Sequence, residues 1–364
     1  MKLRTIILSV AILAVLSLAA YIGKRPKAAP AADPRVGGVL LDSDTASRAA
    51  GLVVEDQGKR VELSRGASGQ WTVVSYFNFP ADVEKISRLA QDLNEAKVDR
   101  LVTESPERLA HLGFKDSSVT FKDAAGKDIW RLMIGKENDS GNGRFIQFGD
   151  EPKAFFSGLH IWLDTDAKGW ANSQLLTVKP DEIATVGIPF DTGPAFVASR
   201  AKKDAPWTTG TTPPGREVSA DRVSTLLTSL TGLKFTDTVD TKDPSVAAAA
   251  PHMRTITLTT FDGRVFNISL GRKPEEKKLK ATSADGKDSL ASLGKLADAK
   301  APATPAVPQF DTIPAGPVFA SVTSSDSHSA VDAMMKQRAF EVDDFVFTGL
   351  PQKPDELFEP LKGK

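Results

Sequence analysis

The chain has 364 residues, enough for about two or three ordinary domains. Lysine plus arginine and aspartate plus glutamate both number 46. No field of one sign therefore surrounds the protein, and nucleic acid is not an expected partner. The chain contains no cysteine, which excludes disulfides, thiolate metal sites and thiol catalysis.

The N-terminus is a short basic stretch followed by an apolar run. Residues 6–22 carry no charge, and as a helix they would cover roughly 25 Å, close to the lower limit for crossing a bilayer. A cleaved signal peptide is the alternative, because residues 17–20 include the small side chains of a cleavage site. The apolar run continues to residue 22 and then meets basic residues, which favours an uncleaved transmembrane anchor over residues 1–23. We expect a single-pass protein of the inner (cytoplasmic) membrane with most of its chain extracytoplasmic.

Three further segments have the composition of chain outside a packed core. Residues 24–36 are rich in proline and alanine and predict an extended tether. Residues 273–309 contain many lysines, alanines and prolines and almost no bulky apolar residues. Such a segment cannot offset its ordering entropy by burial, so we predict a disordered insertion. Residues 353–364 are predicted to form a C-terminal tail.

The remainder of the chain repeats one pattern of glycine, hairpin, tryptophan and helix. Gly51 precedes Trp71 by twenty residues, and Gly187 precedes Trp207 by the same interval. Each interval contains a segment with hairpin character, at residues 52–66 and 188–202. Both tryptophans are interpreted as core anchors rather than ligand-stacking residues, because a single tryptophan in an alternating strand is normally buried.

An amphipathic helix follows each tryptophan. Asp82 and Asp221 lie near the two helix starts, where a carboxylate can cap exposed N–H groups, and we interpret them as caps rather than catalytic groups. Apolar residues at spacings of three and four predict one buried helix face in each copy. These residues are Val83, Ile86, Ala90 and Leu93 in the first copy and Val223, Leu226, Leu230 and Leu233 in the second.

A second hairpin follows each helix. Residues 118–136 alternate around a turn at 123–126, and residues 255–273 alternate around Asp262-Gly263. An Asp-Gly pair between alternating strands is a strong hairpin signal. Both hairpins end in an apolar residue, a glycine and a base: Ile134-Gly135-Lys136 and Leu270-Gly271-Arg272.

These patterns predict an α+β fold made by tandem duplication of a small hairpin/helix/hairpin unit behind one N-terminal transmembrane helix. The first repeat is expected over residues 37–178 and the second, which contains the insertion, over residues 179–352.

Several of the quoted stretches resemble a bacterial family known only as domain of unknown function 4340. They are Trp71-Thr72-Val73, Pro80-Ala81-Asp82 before the first helix, "ERLAHLGF" at 107–114 and "LMIGK" at 132–136. The resemblance spans residues 37–352, although the second copy lacks a clear equivalent of 111–114. It implies a membrane segment, a duplicated extracytoplasmic module and an association with auxiliary subunits of a gliding-type ABC transport system. It supplies no catalytic residue.

The histidines do not form a recognisable metal site. None of the four lies in a pair with metal-ligand spacing: His111, His160, His252 and His328. His111 and His252 occupy loosely similar places ahead of the second hairpins, where a surface or packing role is favoured over a shared metal site. There is also no Gly-x-Ser-x-Gly elbow and no phosphate-binding glycine loop before a helix.

Two acidic stretches suggest calcium only weakly. Residues 42–44 and 137–143 lack the late glutamate of a calcium loop, and their Asn, Asp and Gly are also what tight turns require. We therefore assign no catalytic, cofactor-binding or metal-binding residue and expect no cofactor.

The favoured function is that of a non-enzymatic accessory or scaffold subunit of a membrane complex, with ABC-type transport or gliding-like components as partners and the bilayer contacted through residues 6–22. The alternative is a module that binds cell wall or glycan, with Trp162 and Trp170 as a sugar platform. An unrecognised hydrolase ranks last, because no nucleophile, base and orienting group can be named together.

Overall fold

The structure is a computed structural model that describes residues 33–279, 310–325 and 330–361. The chain divides into two compact units, unit 1 ending at Ala171 and unit 2 beginning at Asn172. Each unit combines a mostly antiparallel sheet with a few helices. The α+β class is therefore confirmed.

The division lies slightly before the predicted boundary between residues 178 and 179. The residues just after Ala171 already pack within unit 2. The amide of Leu175 donates to the carbonyl of Leu233 at 2.9 Å, and Leu175 and Leu176 are buried.

Unit 1 is built on a nine-stranded sheet. Its described helices are α1 Ser43–Arg48, α2 Val83–Glu95 and α3 Pro106–Leu109, and a 3-10 turn covers Lys168–Trp170. Its strands are β1 Gly51–Asp56, β2 Lys59–Arg65, β3 Trp71–Val73, β4 Phe79–Pro80, β5 Arg100–Thr103, β6 Ser117–Lys122, β7 Asp128–Glu137, β8 Arg144–Phe148 and β9 Ala154–Ser157.

The strand order in unit 1 is β4-β3-β2-β1-β6-β7-β8-β9-β5. Both predicted hairpins are present, as β1 with β2 and as β6 with β7, and β1 and β6 join them at the centre of the sheet. Alternate residues of these strands share one face, because side chains alternate along a strand. That face is buried and forms the core: Leu52, Val54, Val61, Leu63, Val119, Phe121, Leu132 and Ile134.

Helix α2 follows its predicted pattern with two corrections, at Val83 and Ala90. The Asp82 side chain accepts hydrogen bonds from the amides of Glu84 and Lys85, so it is the N-cap. The buried residues are Ile86, Leu89 and Leu93, whereas Val83 is 52% exposed and Ala90 is half-buried. The buried stripe is centred on Leu89, and Val83 is the first residue of the helix, at the solvent-exposed end of that stripe.

Unit 2 is built on an eight-stranded sheet and two small two-stranded sheets. Its described helices are α4 Ala220–Thr231, α5 Pro244–Ala249, α6 Ala330–Met335 and α7 Asp344–Thr348, with 3-10 turns at Pro180–Glu182, Ala250–His252 and Pro354–Leu357. Its strands are β10 Ile183–Ile188, β11 Phe196–Ser199, β12 Thr208–Thr209, β13 Arg216–Val218, β14 Phe235–Val239, β15 Arg254–Thr260, β16 Val265–Gly271, β17 Glu276–Leu279, β18 Phe310–Ile313, β19 Val318–Ser324, β20 Ala339–Val342 and β21 Phe358–Pro360.

The main sheet of unit 2 has the order β12-β11-β10-β15-β16-β19-β20-β14. In both units the first hairpin is joined to the second through their first strands, and the strand after the main helix forms an edge. In unit 2 the predicted helix face is confirmed for Val223, Leu226 and Leu230, which are buried within α4. Leu233 is also buried, but it follows the helix, which ends at Thr231. Asp221 is not the cap. Ser219 holds that position, and Asp221 lies in the first turn, where its charge complements the helix dipole.

Two segments predicted to lie outside the core carry structure. Residues 276–279, at the start of the predicted disordered insertion, form β17 and pair with β18, while residues 280–309 lie outside the described residues. The predicted C-terminal tail contains β21, which pairs with β13. Leu357 and Phe358 are buried there, so their apolar surface offsets the cost of ordering the segment.

The predicted anchor at residues 1–23 lies outside the described residues, as do residues 24–32 of the tether. At the end of the tether, Arg35 is ordered against Glu151 through an ion pair of 2.5 Å. None of the helices in the described part of the chain has the length and apolar character needed to span a membrane.

In each unit, the triplet of an apolar residue, a glycine and a basic residue lies where two backbone segments approach closely. The amide of Lys136 donates to the carbonyl of Leu112 at 2.8 Å, which brings that carbonyl against Gly135. A Cβ at Gly135 would overlap this oxygen and lie 2.9 Å from the Phe114 ring. At Gly271 a Cβ would lie 2.7 Å from both the His252 carbonyl oxygen and the Cα of Met253. Residues 252–253 therefore take, at the end of β16, the place that Leu112 takes near the end of β7.

We predict that Gly135→Ala and Gly271→Ala each lower the free energy of unfolding by about 1–3 kcal/mol. The added methyl group would overlap backbone atoms, which cannot move away as a flexible side chain can. The measurement is the denaturant midpoint of the full chain. Gly210→Ala is the matched control, since no heavy atom lies within 4 Å of its Cβ position. An unchanged midpoint for both test variants would contradict the packing described here.

Candidate functional site

The described histidines do not converge. His111, His160 and His252 are all exposed, and His328 lies outside the described residues. Across residues 33–279, 310–325 and 330–361 no group of three or more His, Asp or Glu side chains is arranged to hold a metal ion. His111 and His252 do lie in matching turns before the second hairpins, and the carbonyl of His252 packs on Gly271.

The acidic stretch at 42–44 is the start of a helix. Asp42 is the N-cap of α1 and accepts hydrogen bonds from the amide and the hydroxyl of Thr45, at 2.8 and 2.7 Å. The amide hydrogen bond and then the hydroxyl hydrogen bond hold the pKa of Asp42 below its ordinary value. Both carboxylate oxygens therefore have protein partners.

The stretch at 137–143 is a turn between β7 and β8. The Asn138 side-chain oxygen accepts from the amide of Asn142 at 3.0 Å, and the amide of Gly141 donates to the Asn138 carbonyl at 2.9 Å. The asparagines and glycines of this stretch thus serve local turn geometry.

The two repeat tryptophans begin the third strand region of each unit. Trp71 is half-buried at the start of β3, and Trp207 is buried just before β12. The Arg200 guanidinium lies 4.6 Å from the centre of the Trp207 ring and donates to the carbonyls of Ile183 and Pro180, both at 2.8 Å. Trp207 therefore helps to hold an arginine that ties loops together.

The two tryptophans predicted as a sugar platform differ in their exposure to solvent. Trp170 is only 2% exposed; its indole N–H donates to the Asp164 carbonyl at 2.8 Å, and the Lys85 ammonium lies 4.6 Å from its ring centre. Trp162 is 88% exposed. Trp170 is a core residue, so a platform of two adjacent aromatic faces is not formed by this pair, and Trp162 stands by itself.

Unit 2 contains a groove of about 760 Å³, which we call the α4 groove. One wall is the outer face of α4, and the other is made by α7 and the segment that follows it. The wall from α7 carries Phe345, which is 66% exposed. The lining residues are Asp221, Arg222, Ser224, Thr225, Leu226, Thr228, Ser229, Phe345, Gly349, Pro351, Glu356 and Leu357.

Local hydrogen bonds give the α4 groove its shape. The Arg222 guanidinium donates to the Glu356 carbonyl at 2.5 Å, joining the two walls at one end. The hydroxyls of Thr225 and Thr228 donate back to carbonyls four residues earlier, both at 2.9 Å. These hydroxyls are satisfied within the helix, which leaves their methyl groups, Leu226 and Phe345 to present an apolar surface suited to a protein segment.

The α4 groove was missed by the sequence analysis. A signal was present, because Ser224, Thr225, Thr228 and Ser229 make a stripe of small residues on the side of α4 opposite its leucines. The facing wall could not be found in this way. Phe345 and Leu357 lie more than a hundred residues further along the chain, and only the tertiary fold brings them beside the helix.

Comparison with known protein families gives one match. Residues 71–251 match the family described as a domain of unknown function, DUF4340, and this region of the chain belongs to that family. The match begins at β3 of unit 1 and ends within the 3-10 turn that follows α5 of unit 2. It is shorter than the span of 37–352 expected from the sequence. No curated protein and no solved structure matches the chain.

Proposed function

We propose that this protein is a non-enzymatic accessory or scaffold subunit of a membrane complex, held at the inner membrane by residues 6–22 with its two units outside the cytoplasm. The α4 groove carries the proposal. It is large enough to take a short apolar segment of a partner subunit, and it presents an exposed phenylalanine between small side chains. Exposed apolar surface of this kind is typical of interaction sites.

The partner class is a membrane protein of an ABC-type or gliding-like transport system. The apolar N-terminal run supports a membrane location. The likeness to a family whose members accompany such transporters supports the partner class. A helix-in-groove contact suits the geometry, because such grooves bind partners through apolar side chains on one helix face.

We infer further that the two units derive from one fold unit copied in tandem. The matching strand orders support this, as does the close backbone approach at Gly135 and Gly271. An experimental structure tests the inference. We expect β1, β6, β7 and α2 to superpose on β10, β15, β16 and α4. The inference would be overturned if α2 and α4 packed on opposite faces of their sheets.

We predict that Phe345→Asp separates the protein from its complex, because a carboxylate in the α4 groove would have to be desolvated on binding. The full chain is extracted from its own membrane in mild detergent, and the native mass of the extracted species is measured. The wild type is expected to migrate with transporter subunits, including a nucleotide-binding one, and the variant to lose at least about nine-tenths of that association, equivalent to a tenfold weaker affinity.

The matched control is Val197→Asp, which places the same charge on a β11 residue that is 52% exposed and outside the groove. It should migrate like the wild type. A wild-type chain that migrates as a lone monomer after gentle extraction would contradict the proposed function.

A glycan-binding function is the second candidate, and the exposure of Trp162 favours it. An exposed indole can stack on a sugar ring. We predict that, if this function holds, Trp162→Ala reduces retention of the full chain on purified cell-wall material at least about fivefold, roughly the loss of 1 kcal/mol of stacking energy. Equal retention of wild type and variant, or no retention of either, would end this candidate.

A further inference from the structure

Unit 1 contains a second concave feature, a polar cleft of about 280 Å³ that we call the basic cleft. It lies where the turn between β1 and β2 meets the segment leading into β6, with β7 beside them. Its basic side chains come from Lys59, Arg60, Lys115 and Arg131, and its acidic ones from Glu55 and Asp116. Ser117, Ser118, Met133 and Gly58 complete the lining.

The glutamate of the basic cleft is already neutralised by the protein. Arg60 pairs with Glu55 at 2.9 Å and with Glu62 at 3.1 Å. Glu55 also accepts a hydrogen bond from the hydroxyl of Ser118 at 3.0 Å. These contacts leave Arg60 and Glu55 with little net charge to offer a ligand.

Arg131 is in a different position. Its Nε is buried and has no hydrogen-bond partner, and within the described residues its guanidinium makes no ion pair or other hydrogen bond. Arg200 and Arg254 also lack carboxylate partners, but both donate to backbone carbonyls. The buried Nε costs free energy because it has no acceptor. The two Nη groups are not buried, so they remain available to an anion in the cleft.

Lys59 and Lys115 add to this unpaired charge. Neither ammonium forms an ion pair or hydrogen bond with any part of the chain that the structure describes. Within the described residues, Asp116 is the one acid on the wall without a side-chain partner, so three cations that lack partners there are set against one carboxylate. The balance favours a ligand with more than one negative charge over a single carboxylate.

We propose that the basic cleft binds a phosphate group, carried either by a small phosphorylated molecule or by a phospholipid headgroup. The planar fork of Arg131 can donate two parallel hydrogen bonds to phosphate oxygens. Lys59 and Lys115 supply the remaining charge as mobile ammonium groups. The volume of about 280 Å³ lies near the lower end for ligand pockets, so it takes a phosphate group together with a small attached group.

The test is isothermal titration calorimetry on the purified full chain in neutral detergent, at low ionic strength. One arm uses inorganic phosphate, and the other uses a soluble short-chain phosphatidic acid, whose phosphomonoester headgroup carries more than one negative charge near neutral pH. The variants are Arg131→Gln, which removes the fork, and Arg131→Lys, which keeps the charge. Arg88→Gln is the matched control, because it removes one positive charge from an exposed residue of α2 that does not line the cleft.

We expect Arg131→Gln to raise the dissociation constant at least tenfold, Arg131→Lys to raise it less, and Arg88→Gln to leave it within twofold of the wild type. Binding in the phosphate arm would identify a soluble ligand, and binding in the phosphatidic acid arm alone would identify a lipid headgroup. Absence of binding in both arms would overturn the proposal. So would equal losses in Arg131→Gln and Arg88→Gln, which would mean that the effect is one of net charge. A circular dichroism melt of each variant separates loss of binding from loss of fold.

Discussion

The antiparallel join between two hairpins is the interaction on which each unit depends. In unit 1 it is the pairing of β1 with β6 and in unit 2 that of β10 with β15. Each join places two hairpins in one register, so that one face of four adjacent strands becomes continuously apolar. A single hairpin buries too little surface to be stable in water. The core, the edges and every site described above therefore exist only once this pairing has formed.

The alternation that builds the core also creates the basic cleft. Leu132 and Ile134 of β7 point into the core and are buried, while Arg131 and Met133, which alternate with them along the strand, line the cleft on the other face. The same strand therefore contributes to stability and to a charged pocket. A one-residue slip of register would exchange the two faces, which ties the position of Arg131 to the pairing of the hairpins.

Helix α4 likewise serves two purposes on its two sides. Val223, Leu226, Leu227 and Leu230 are buried, and the small hydroxyl side chains of the opposite side line the α4 groove. The groove needs its second wall, however, and that wall comes from the last described part of the chain. Burial of Leu357 and the pairing of β21 with β13 hold this segment in place.

Local patterns determined much of the architecture without the tertiary structure. Alternating strands around Asp-Gly turns, helix spacings of three and four, and the Asp82 cap all report interactions between residues close in sequence, and these predictions are confirmed. The predictions that differ from the structure concern the end of a helix and a segment whose pairing partner is distant in the sequence. Val83 matches the helix period but lies where the helix leaves the core. Residues 354–360 have the composition of a tail yet form a 3-10 turn followed by a strand.

The sequence by itself therefore determined the α+β class, the hairpins and the main helices, because periodicity and turn chemistry act over a few residues. Only the tertiary structure decided that Trp170 is buried while Trp162 is exposed, and that Phe345 faces α4. It also decided that Arg131 lines the same cleft as Lys59 and Lys115 without an acceptor among the described residues. Each of these depends on which residues far apart in the chain become neighbours, and burial and pairing across such distances have no local signature in the sequence.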